Sequence, residues 1–192
     1  MVLEGRRVLY ISYNGMLDPL GQSQVIPYLR ELAKQGVKFT LLSFERNGAL
    51  ESDGRNRCRK LDQQLAQAGV EWHWLRYHQR PSLPATTYDV IAGVRYAQKL
   101  VRRNAIELVH ARSHIPATIG LALKRRLGVK LIFDLRGLMA EEYVDADHWR
   151  SHRQNHGRVC LHRLIGAFVA IFCEVIPLNA GRTNNEVLVL LF

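Results

Sequence analysis

Asp134 and Arg136 stand two positions apart at the end of an apolar run, Lys130-Leu131-Ile132-Phe133. A carboxylate and a guanidinium so placed can orient a hydroxyl and hold a phosphate. The same pair can also be a structural ion pair that closes a loop. A second polar group, His110-Ala111-Arg112-Ser113-His114, follows Leu108-Val109. His110 offers proton transfer or hydrogen bonding near neutral pH, or is a satisfied histidine at a strand end. A third group is the loop from Asn14 and Gly15 through Asp18 to Gly21 and Gln22. Gly21 sits just ahead of a helical pattern whose free N–H groups attract anions, so the loop resembles a phosphate cradle. The gap from Gly15 to Gly21 is too wide for G-x-G-x-x-G, and an ordinary tight turn is the alternative. Glu45 and Arg46, and further on Glu141 and Glu142, complete the candidates. His148, His152 and His156 recur at every fourth position, but no glutamate follows as in H-E-x-x-H, and no metal site is expected.

These groups can meet only if the elements before them end at one edge. Val8-Leu9-Tyr10-Ile11 reads as a buried strand. Val25, Ile26, Leu29, Leu32 and Ala33 keep helical spacing up to Gly36, with Pro27 near the helix start. Val37 to Phe44 is a second strand. Arg55 to Ala68 is a polar helix closed by Gly69, and Val70 to Leu75 is a third strand interrupted by Trp72-His73-Trp74. His78 to Thr87, with Pro81 and Pro84, reads as a loop. Tyr88 to Arg103 is helical, Leu108 to His110 a fourth strand, and Pro116 to Leu127 a helix stopped by Gly128. The run ending at Phe133 is the fifth strand. Strands alternating with helices at this pace imply βαβ units and a parallel sheet covered on both faces. The expected fold class is α/β, a Rossmann-like doubly wound domain from about residue 6 to 150. In such a sheet ligands sit beyond the carboxyl ends of the strands, where every candidate above lies.

Composition narrows the partners. Apolar residues make up 47% of the 192-residue chain and charged residues 23%, which excludes disordered and collagenous classes. Lys and Arg outnumber Asp and Glu by 27 to 17, a net charge of +10 that favours an anionic partner. Nucleic acid is disfavoured, because the basic clusters lack interleaved aromatics for stacking bases. They read instead as solvated helix faces. Cys58, Cys160 and Cys173 show no C-x-x-C spacing, so reduced thiols in a cytoplasmic protein are expected. The longest apolar region, Leu164 to Cys173, falls well short of the roughly 20 residues of a membrane span.

After Ser151 the character changes. Residues 151–192 contain no lysine, and only Glu174 and Glu186 are acidic. Leu161, Leu164, Ile165, Phe168, Val169 and Phe172 keep helical spacing while Ala167, Ala170 and Ile171 fill the other faces. A helix apolar all round is buried or lies in a membrane. The closing run Val187-Leu188-Val189-Leu190-Leu191-Phe192 is strand-like with no evident place in the sheet. The atypical tail reads as translated out of the ancestral frame, with a native buried helix as the competing explanation.

The same residues carry a resemblance. Val8 to Tyr13, Asp18-Pro19-Leu20-Gly21-Gln22-Ser23-Gln24-Val25 and Leu29 to Gly36 resemble the start of a family-four glycosyltransferase of GT-B fold. His110-Ala111-Arg112-Ser113 and Phe133-Asp134-Leu135-Arg136-Gly137 continue it. The resemblance implies the N-terminal, acceptor-side domain of a retaining enzyme that transfers a sugar from a nucleotide-sugar to a glycan or lipid-linked acceptor. It implies no metal and no cofactor. Gly21 and Gln22 would approach donor phosphate and sugar, and Asn14, Gly15, His110, Arg112 and Ser113 would line the cleft. Asp134 and Arg136 would be catalytic, orienting the acceptor; many members have a histidine where this chain has Arg136. The donor-binding half with its E-x7-E motif is not found, so a truncated chain, inactive alone, is expected. The alternative is a non-catalytic nucleotide- or anion-binding module that pairs with a separate donor-domain chain. The basic charge and lipid-linked acceptors together suggest contact with the inner face of an anionic membrane.

Overall fold

The computed structural model describes residues 5–46, 52–135 and 187–191. Six parallel strands form one sheet: β1 (Arg7–Ser12), β2 (Lys38–Glu45), β3 (Val70–Arg76), β4 (Leu108–Arg112), β5 (Lys130–Leu135) and β6 (Val187–Leu191). Between them run α1 (Ile26–Lys34), α2 (Ser52–Gln67), α3 (Ser82–Arg103) and α4 (His114–Leu127). The strand order is β3-β2-β1-β4-β5-β6. The chain therefore works outward from β1 to β3, then returns to the centre and works outward again from β4. The point of reversal, between β1 and β4, is where open parallel sheets leave a crevice for ligands.

Alternation along the strands builds two cores. Leu9, Ile11, Leu42, Phe44, Val109, Ala111, Leu131 and Phe133 pack against Val94, Ala97, Val101, Ile119 and Leu123 of α3 and α4. Val8, Tyr10, Phe39, Leu41, Val70 and Trp72 pack on the other face against Leu29, Cys58, Leu61 and Leu65. The doubly wound expectation holds. Gly128 takes a left-handed φ of 69° as the C-cap of α4, and its N–H closes on the Lys124 carbonyl. That conformation strains any residue with a Cβ. Among the described residues no helix is long and apolar enough to cross a membrane.

Two expectations are corrected, and the interrupted third strand is borne out. The stretch His78 to Thr87 is not wholly loop, because α3 begins at Ser82 with Pro81 as its N-cap. Pro84 lies in the first helical turn, where an N–H would find no partner anyway. The third strand continues through the Trp72-His73-Trp74 interruption, since the Trp72 indole N–H reaches Ser43 Oγ at 2.9 Å and is satisfied while buried. The closing apolar run does have a place: β6 pairs with β5 from Leu131↔Val187 to Leu135↔Leu191 and extends the sheet by one strand. The apolar helix pattern of residues 161–172 lies outside the described residues.

Candidate functional site

The loop after β1 is held from below by one carboxylate. Glu45, the last residue of β2 and 2% exposed, accepts the Met16 N–H at 2.6 Å and the Leu17 N–H at 3.5 Å. It also accepts the Ser43 hydroxyl at 2.7 Å. A Cβ on Gly15 would stand 2.6 Å from Glu45 Oε2, so only glycine lets the loop settle on this carboxylate. Gly21 is constrained by the same closeness. A Cβ there would lie 2.5 Å from the Gly15 carbonyl oxygen and 2.8 Å from Met16 Cα. The Gln22 amide donates to the Met16 carbonyl at 2.6 Å. A π-helical turn, Gly21–Val25, then leads into α1, with the Ile26 N–H reaching the Gly21 carbonyl. Such turns offset a helix locally. Here Gly21 and Gln22 are engaged with the loop itself, and Asn14 stands exposed at its tip.

Across the reversal point the polar groups are less completely used. Register sets Tyr10 beside His110 and Arg112 beside Asp134, and alternation turns all four to one face. The Tyr10 and His110 rings lie 4.6 Å apart, with Tyr28 of α1 edge-on to His110 at 5.7 Å. Asp134 is 1% exposed, and its Oδ2 is 3.7 Å from His110 Nε2, too far for a hydrogen bond. Arg112, 6% exposed, donates through Nη2 to Gln24 Oε1. Among the described residues its Nη1 and the His110 Nε2 are buried without a hydrogen-bond partner. An orphaned buried polar atom costs roughly 1–3 kcal/mol, so its retention asks for an explanation such as a ligand. Burial pushes the Tyr10 hydroxyl up to about 12, opposed by the Arg112 guanidinium and assisted by the Asp134 charge.

Ser113 adds strain at the same edge. It holds φ 71° as a non-glycine residue, with its N–H on the Asp134 carbonyl at 2.8 Å and its carbonyl capping Ala117 N–H. Left-handed backbone outside glycine costs about 1–3 kcal/mol and gathers at functional sites. His114 begins α4 and stacks edge-on with Phe133 at 5.8 Å.

The structure thus brings together His110, Arg112, Ser113 and Asp134, and separately Gly15, Gly21, Gln22 and Glu45 with Asp18 and Arg46 at the rim. Arg46 Nε lies 3.7 Å from Asp18 Oδ2. Arg136, Glu141, Glu142 and the three spaced histidines lie outside the described residues. Sequence reasoning missed Tyr10, Gln24 and Tyr28. Tyr10 was hidden inside an apolar run. Gln24 and Tyr28, one helical turn apart, carry the i, i+4 spacing that could have exposed them.

With this geometry in view, comparison with known proteins decides the family. The profile of Glycosyltransferase Family 4 matches residues 22–171, most of the chain. The chain belongs to glycosyltransferase family 4. The match runs past the boundary expected near residue 150. No curated protein sequence matches the chain. Among solved structures, sucrose-phosphate synthase from Thermosynechococcus elongatus is similar at a TM-score of 0.56 and 12% identity, covering 97% of this chain and 47% of that one. MurG from Acinetobacter baumannii aligns at 0.46 and 14% identity over 96% of this chain and 45% of its own. A glycosyltransferase from Rickettsia africae aligns at 0.46 and 10% identity over 72% and 33%. The family-four chain spans less than half the length of each of these structures. The likeness to the synthase agrees with the Rossmann-like fold read from the strand order.

Proposed function

We propose that this glycosyltransferase domain is the acceptor-side half of a retaining enzyme that moves a sugar from a nucleotide-sugar to a glycan or lipid-linked acceptor. The observation that carries the reading is the pair of buried polar atoms without a hydrogen-bond partner among the described residues, His110 Nε2 and Arg112 Nη1, at the reversal point of the sheet. In this reading Arg112 and His110 meet a polar or anionic ligand group, with Asn14, Gly15 and Ser113 lining the cleft. Gly21 and Gln22 shape the loop that faces donor phosphate and sugar. Asp134, with Arg136, orients the acceptor hydroxyl. Transfer needs groups on both sides of the reacting bond, so a second, donor-binding half completes the site.

Calorimetric titration of the 192-residue chain with UDP- and GDP-sugars tests it. Binding should weaken at least roughly tenfold in Arg112→Met, the loss expected for a charge-assisted contact. Equal binding by the variant would overturn the assignment. Turnover of a nucleotide-sugar by the chain alone would overturn the half-enzyme reading. Joined to a family donor domain, Asp134→Asn should cut turnover with little change in Tm; matched losses would make Asp134 structural. The unpartnered Nη1 of Arg112 also favours a second reading, a non-catalytic anion-binding module, which predicts nucleotide binding without any acceptor binding.

The domain also works, in this proposal, against the cytoplasmic face of an anionic membrane. The net charge of +10 and the basic last turns of α3 and α4 support it: Arg102 and Arg103, then Lys124, Arg125 and Arg126. Cosedimentation with phosphatidylserine vesicles should fall as salt rises. Equal binding to neutral vesicles would count against it.

A further inference from the structure

On the opposite face of the same edge lies a second polar group that the reading above does not use. Asp89 of α3 is 1% exposed. Its Oδ2 accepts the Tyr13 hydroxyl at 2.9 Å and the His78 backbone N–H at 3.0 Å, and its Oδ1 lies 2.6 Å from His78 Nδ1. Tyr13 directly precedes the Asn14-Gly15 loop. Tyr77, the neighbour of His78, ties its N–H to the Glu45 carbonyl at 2.8 Å. The group therefore stands beyond the carboxyl ends of β1, β2 and β3.

The carboxylate holds the imidazole in one orientation. With Nδ1 engaged by Asp89, Nε2 is the ring nitrogen left for a partner. The His78 side chain is 35% exposed. Tyr88, 61% exposed, sets its ring edge-on to His78, with centroids 5.1 Å apart. Ile91, one helical turn on, is 46% exposed. Nδ1 satisfies Oδ1 of the buried Asp89, so the contact that completes the carboxylate also fixes the half-exposed ring. An oriented ring nitrogen beside an open aromatic ring suits a neutral pyranose, whose hydroxyl can donate or accept while its C–H face packs on the aromatic ring.

We infer that His78, positioned by Asp89 and flanked by Tyr88, is a sugar-hydroxyl subsite for the acceptor glycan. The inference rests on the acceptor-side reading and adds a contact outside the His110–Arg112 cleft.

Nuclear magnetic resonance of the isotope-labelled full chain tests it, with methyl α-glucopyranoside, α-mannopyranoside and α-galactopyranoside as probes. The expected result is a saturable shift of the His78 imidazole and Tyr88 ring signals with at least one glycoside. His78→Ala should weaken that binding roughly three- to tenfold, the worth of one net hydrogen bond. Tyr88→Ala, at a site too exposed to threaten folding, should weaken it while leaving Tm unchanged. Shifts confined to Tyr10 and His110 would overturn the subsite and leave the acceptor-side reading standing. No saturable shift at any residue with the three glycosides would also overturn the subsite. The acceptor-side reading is then judged separately by the turnover of Asp134→Asn joined to a family donor domain.

Discussion

Glu45 at the end of β2 and Arg112 at the end of β4 are both charged and both buried, at 2% and 6% exposure. Their surroundings differ. Glu45 collects two backbone N–H groups and a hydroxyl, and that hydroxyl in turn accepts the Trp72 indole. Arg112 has a partner for Nη2 and none for Nη1, and its neighbour His110 has none for Nε2. The first arrangement is closed upon itself and holds a loop in shape. The second leaves two polar atoms unused among the described residues, and the proposed function rests on that difference.

The largest effect should come from opening the closed arrangement. Glu45→Leu leaves Met16, Leu17 and Ser43 donors without an acceptor and should cost roughly 3–5 kcal/mol in urea unfolding. A loss below about 1 kcal/mol would show that the loop finds other partners and would remove the contrast.

Tyr10 lies between the two regions and tests whether the open side is truly desolvated. Its folded pKa is raised from 10.0 to about 12 by burial. Its stabilising contribution is complete below pH 10 and is lost as pH rises from 10 through about 12, where only the unfolded chain ionises first. The loss should reach about 2–3 kcal/mol, and Tyr10→Phe should remove that part of the alkaline slope. Parallel slopes for wild type and variant would mean that water reaches the hydroxyl.

Gly21→Ala tests the closeness of loop and helix. Its Cβ meets backbone atoms, the Gly15 oxygen and Met16 Cα, which cannot swing aside. A loss of roughly 1–3 kcal/mol in thermal or urea unfolding is expected. A neutral result would mean that the π-helical turn yields.

The smallest stability effect belongs to the open side. Arg112→Met removes the unpaired Nη1 together with the Nη2 bond to Gln24, and His110→Phe removes the unpaired Nε2, so each should change stability by about 1 kcal/mol or less. Differential scanning calorimetry checks this. A large destabilisation in either would make the cluster structural and erase its difference from Glu45.

Much of this architecture is legible along the chain. Apolar runs such as Val8 to Ile11 and Leu131 to Phe133, punctuated by Gly36, Gly69 and Gly128, set the order of strands and helices and the edge where polar residues collect. Those features are local: side-chain periodicity and the φ preference of glycine act within a few residues. The candidates His110, Arg112 and Asp134 were found because each stands toward the carboxyl end of a strand. The role of Glu45 was not, because its partners Met16 and Leu17 lie 29 and 28 positions away. The place of β6 escaped for the same reason, since an apolar run carries no mark of which strand it will join.

The residues themselves determine the element order, the basic surface and the family, because periodicity, charge and motif are properties of the chain. Folding alone decides which polar atoms end up satisfied. Ser43, Glu45 and Trp72 close a network across β2 and β3, whereas His110 and Arg112 meet Tyr10 from β1 and Gln24 from the helical turn with Nε2 and Nη1 left over among the described residues. Burial and hydrogen-bond pairing depend on distances between strands brought together across the sheet, and no reading along one strand contains them.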